Sequence, residues 1–62
     1  MKIRVKAIEE TKFMLEMNWV QLGITYDVIG INKDGYEANH IAITDETGGR
    51  LVLFDHEYEV VE

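Results

Sequence analysis

No cysteine occurs in this chain of 62 residues, so neither a disulfide nor a thiolate-held metal can staple it, and folding rests on apolar burial alone. A chain this short buries only about 60% of its unfolded surface, and an unstapled core of this size rarely supplies more than about 3–5 kcal/mol of net stability. One domain over residues 1–62 is expected, either marginally stable or oligomeric. With 47% hydrophobic residues, the composition is too rich in apolar and β-branched side chains for a disordered acidic segment.

The hydrophobic pattern is mostly that of strands. Ile3, Val5 and Ala7 alternate with Lys2, Arg4 and Lys6, which predicts a half-buried strand from Lys2 to Glu9. Residues Ile24 to Ile29 are β-branched and aromatic and predict a second strand with Tyr26 and Val28 inward. Asp34-Gly35 predicts a hairpin, since glycine accepts the positive φ of such turns. It leads into a third strand, Tyr36 to Thr44, with Ile41 and Ile43 on one face and His40 and Ala42 on the other. Asp45-Glu46-Thr47-Gly48-Gly49 reads as a turn, Arg50 to Phe54 as strand four, Asp55-His56-Glu57 as a 3₁₀ turn, and Tyr58 to Val61 as strand five. The first and last strands are expected to pair, with Lys2, Arg4 and Lys6 near Glu57 and Glu59.

The stretch from Glu10 to Gly23 is ambiguous. Phe13, Leu15 and Met17 alternate as in a strand, whereas Met14, Leu15 and Asn18 also fit one face of a helical turn. A long, partly extended first loop is the expectation. The fold class that follows is all-β, a small five-stranded barrel.

The order of strand, long loop, Leu22-Gly23-x-x-Tyr26-x-Val28, hairpin, strand, Asp45-x-x-Gly48, strand, short turn and Tyr58-x-Val60 resembles small bacterial and bacteriophage proteins with an SH3-like barrel. The likeness covers roughly Gln21 to Glu62, and its motifs are structural. The Ala-Leu-Tyr-Asp-Tyr type motif of signalling SH3 domains is absent between Ile8 and Gly23, so the resemblance does not imply recognition of proline-rich peptides. It implies an accessory protein of a bacteriophage or mobile element that binds a host protein and alters its activity.

Twelve acidic against six basic residues give a net charge of −6, which repels phosphate backbones, so direct nucleic-acid binding is not expected. No apolar run approaches the roughly 18–20 residues of a membrane span, and the start lacks a signal-peptide core. A cytoplasmic protein without membrane contact is expected. His40 and His56 lack a metal-ligand spacing, and no nucleophile, triad order or phosphate-cradling glycine loop accompanies them. Neither a metal, a cofactor nor an enzymatic activity is expected.

The segment Phe13 to Val20 holds more large apolar side chains than so small a barrel easily buries. Either Phe13, Leu15 and Trp19 fold back to cap an open end of the barrel, or the segment meets another protein or a second copy. The partner-binding candidates are Phe13, Met14, Met17, Trp19 and Tyr36. An alternative uses the carboxylates of Glu9, Glu10, Glu16, Asp55, Glu57, Glu59 and Glu62 as a phosphate-like decoy for a nucleic-acid-binding protein.

Overall fold

The computed structural model describes residues 1–32 and 40–62, and the backbone alone for Asn32. Tyr36, the Asp34-Gly35 hairpin and the start of the expected third strand lie outside the described residues. Strands β1 (Lys2–Val5), β2 (Tyr26–Asn32), β3 (His40–Thr44), β4 (Arg50–Phe54) and β5 (Tyr58–Val60) form one antiparallel sheet in the order β4-β3-β2-β1-β5. The fold is mostly antiparallel β. Among the described residues the sheet does not close on itself: β4 and β5 are its edges.

Alternation explains the core. Ile3 and Val5 of β1, Tyr26 of β2, Ile41 and Ile43 of β3 and Leu53 of β4 point to one side and are buried together with Val20, while Val28, Leu51 and Tyr58 pack against them. Ala42 lies on the opposite face from Ile41 and Ile43, as alternation requires, yet it is buried as well. Its Cβ sits beside Gly30, where an added Cβ would be 3.8 Å from it and 3.5 Å from the Arg50 guanidinium.

The β2–β3 register shifts between Val28 and Gly30, which leaves Ile29 as an extra, exposed residue. A bulge of this kind bends a strand and raises its twist. It divides β2 between two partners: Tyr26 and Asp27 pair with β1, and Val28 onward pairs with β3.

Pairing of β1 with β5 sets Arg4 directly opposite Glu59. The expected charge match with Glu57 does not form, because Glu57 is buried. Its carboxylate accepts the Phe54 N–H at 2.7 Å, and its carbonyl accepts the Lys6 N–H at 2.9 Å. Among the described residues the one contact within ion-pair distance is His56 Nδ1 to Asp55 Oδ1, at 3.7 Å.

Thr11 and Glu57, the two buried polar side chains among the described residues, do the same job. Each is the third residue of a 3₁₀ turn, Glu9–Thr11 or Asp55–Glu57, and each accepts the backbone N–H of the residue before the turn. That reciprocal bond is half of a capping box, and it satisfies a donor that the turn would otherwise orphan.

Candidate functional site

The segment expected to be an extended loop is instead a 3₁₀ turn, Glu9–Thr11, running into a short helix α1, Lys12–Glu16. A helix of five residues is too short to persist on its own, so its ends must be held. The Thr11 hydroxyl donates towards the Lys6 carbonyl at 2.5 Å and accepts the Ile8 N–H at 3.1 Å, which anchors the start to the end of β1.

The other end closes by a Schellman turn. Asn18 takes the left-handed conformation, φ 59°, which asparagine tolerates better than most side chains. The Asn18 N–H donates to the Leu15 carbonyl at 3.2 Å and the Trp19 N–H to the Met14 carbonyl at 3.0 Å. This turn characteristically brings the residue after the left-handed position against the last helical turn. Here Trp19 meets Phe13 edge to face, with ring centroids 5.3 Å apart at 82°.

Beyond it the chain is pinned to the body of the domain. Glu46 N–H donates to the Trp19 carbonyl at 2.8 Å, Val20 enters the core, and Gln21 N–H donates to the Tyr26 hydroxyl at 2.9 Å. The Asp45–Gly49 turn that supplies Glu46 is braced by the Asp45 carboxylate, which accepts from the Thr47 hydroxyl and from the Thr47 and Gly49 N–H groups. These donors, the Thr47 hydroxyl foremost, hold the Asp45 carboxyl below its ordinary pKa.

The candidates therefore separate by face. Met14 and Leu15 are half-buried and pack against the core. Phe13 and Met17, one helical turn apart, are 59% and 50% exposed, and half-buried Trp19 leans on Phe13. The segment thus both supplies core and leaves an apolar cluster at the surface. Leu22 and Ile24, which sequence reasoning did not single out, are also exposed. Leu15, with Ala7, Ile8, Glu9, Lys12 and Glu16, borders an open groove of about 400 Å³.

Of the carboxylates weighed as a phosphate-like surface, Glu57 is turned inward and bonded, while Glu9, Glu10, Glu16, Asp55, Glu59 and Glu62 are exposed. Among the described residues no three His, Asp or Glu side chains converge on a metal-sized site. His40 and His56 flank Phe54, the first edge to face at 5.8 Å and the second stacked at 6.5 Å. No helix among the described residues is long and apolar enough to cross a membrane.

Tyr26 gives this region a pH dependence. Burial pushes its phenol above the ordinary value of 10.0, with smaller upward contributions from Glu46 and Asp45, against the lowering effect of the Gln21 N–H. A raised folded-state pKa means a contribution to stability that is complete below about pH 10 and is lost as pH rises through the folded value. Absorbance titration should therefore show one phenol ionising above the ordinary tyrosine range in the wild type, a step missing in Tyr26→Phe; if the variant instead lost a phenol that ionises in the ordinary range, Tyr26 would be in solvent.

The chain matches no family model, and comparison with curated proteins and with solved structures finds no significant match.

Proposed function

We propose that this domain is a non-enzymatic protein-interaction module that contacts another protein through Phe13, Met17 and Trp19. The carrying observation is that a rigid turn holds an aromatic pair and a methionine at the surface rather than in the core. Aromatic and methionine side chains are enriched at interface centres, where they offer large contact area. Met14, half-buried against the core, contributes through the placement of the helix. Tyr36 keeps its place among the candidates on sequence grounds alone.

An SH3-like arrangement is the finer fold reading. It is supported by the antiparallel order β4-β3-β2-β1-β5, by the long segment between β1 and β2, and by the 3₁₀ turn between β4 and β5. The further expectation of a bacteriophage or mobile-element accessory protein that modulates a host protein rests on the resemblance.

The test is affinity capture from bacterial lysate at about 0.1 M and about 0.5 M salt, a range over which the Debye length falls severalfold. Wild type is expected to retain a protein at both salts, and the double substitution Phe13→Ser, Met17→Ser to lose it while circular dichroism stays unchanged. Retention by the double variant would refute the assignment. A partner lost at high salt by wild type would favour the acidic decoy instead.

A further inference from the structure

The two edges of the sheet are built differently. β5 is three residues long, carries Glu59 and is followed by Glu62; short, charged edges repel a further strand. β4 is Arg-Leu-Val-Leu-Phe, apolar throughout after Arg50, with no proline and no charge before Asp55. Among the described residues, its only backbone hydrogen bond outside the β3 ladder is that of Phe54 N–H to the Glu57 carboxylate.

That bond sets the phase of the strand. With its N–H on Glu57, Phe54 forms a non-hydrogen-bonded pair with His40. By the alternation of antiparallel ladders, so do Val52 with Ala42 and Arg50 with Thr44. The N–H and C=O of Val52 and of Arg50, and the Phe54 carbonyl, therefore point away from the sheet, while Val52 and Phe54 expose more than a third of their surface.

We propose that β4 pairs with β4 of a second copy of this chain, antiparallel about a two-fold axis at Val52, joining two sheets into one. In this register Val52 bonds Val52 in both directions across the axis. Arg50 N–H meets the Phe54 carbonyl of the second copy, and the Glu57 clips stay closed. The strand is self-complementary only in this sense: antiparallel pairing sets the cationic Arg50 opposite the exposed Phe54 of the second copy, a cation beside an aromatic ring. A parallel pairing would stack Arg50 on Arg50. Pairing removes an open edge and covers Val52 and Phe54, which would add to the marginal core of so small a domain. The surface is distinct from the Phe13–Met17–Trp19 cluster.

Sedimentation velocity and single-thiol cross-linking test it, since the chain has no cysteine of its own. Residues facing each other across a hydrogen-bonded antiparallel pair have Cα atoms about 5.5 Å apart, within the roughly 4.4–6.8 Å that a disulfide spans. Val52→Cys is expected to oxidise to a covalent dimer at least tenfold faster than Met17→Cys. Wild type should sediment as a dimer, and Val52→Pro should raise the dissociation constant tenfold or more. Proline there removes only an outward N–H, which edge strands tolerate. Val52→Lys, altering only an exposed side chain, repeats the test if the proline variant unfolds. A monomeric wild type, a dimer that survives Val52→Lys, or equal cross-linking of Met17→Cys would each overturn the proposal. Phe13→Ser, Met17→Ser should leave the dimer intact, which separates this surface from the partner site.

Discussion

Leu53→Ala is expected to leave the domain largely unfolded at 25 °C. Leu53 is wholly buried in β4, opposite Ile41 and among Ile3, Ile43 and Val20. Truncating a buried leucine costs about 2–5 kcal/mol through lost transfer energy and the cavity left behind. An unstapled core of this size holds only about 3–5 kcal/mol in total, so the loss is comparable with the whole. Urea titration followed by circular dichroism should show no native baseline for Leu53→Ala, whereas Leu53→Met, which conserves volume, should keep one at a cost below about 1.5 kcal/mol. A near-wild-type midpoint for the alanine variant would mean that the core does not close over β4.

The second large effect is expected at a polar residue. Thr11→Val preserves shape but leaves the part-buried Lys6 carbonyl and Ile8 N–H without the hydroxyl of the fully buried Thr11. Each buried polar group left unpaired costs about 1–3 kcal/mol, so this substitution should rival a core truncation. Thr11→Ser keeps the hydroxyl and loses one methyl group, about 0.8 kcal/mol of burial. The same titration ranks them: serine well above valine supports the hydroxyl as the clip between β1 and α1, and the reverse order would make Thr11 a mere space-filler. Since this clip starts the helix that carries Phe13 and Met17, Thr11→Val should also weaken partner capture.

The strands were legible because their signal is local. Ile3 and Val5, and Ile41 and Ile43, alternate with polar or small neighbours, and a period of two places such residues on one face whatever the rest of the chain does. The Asp45–Gly49 turn and the 3₁₀ turn at Asp55–Glu57 were legible for a similar reason, since the chemistry that forms them lies within a few residues. The expectation for Glu10 to Gly23 went wrong where two periods overlap. Phe13, Leu15 and Met17 fit a strand, Met14, Leu15 and Asn18 a helical turn, and a helix this short has no intrinsic stability to tip the balance. The signals that favour the helix were Asn18, able to take positive φ, and Thr11 three residues after Ile8.

Propensity and alternation act between near neighbours, so the class of element at most positions and the apolar side of each strand follow from the order of residues alone. Which of the apolar residues between Phe13 and Val20 became core depended on how the folded chain packs. Val20 joins the core and Met14 and Leu15 pack against it, whereas Phe13 and Met17 stay exposed. The same packing decided that Glu57 turns inward to hold Phe54, and that the sheet ends at β4 with outward backbone groups. Those outcomes depend on contacts between segments far apart along the chain, and nothing in the spacing of nearby residues encodes them.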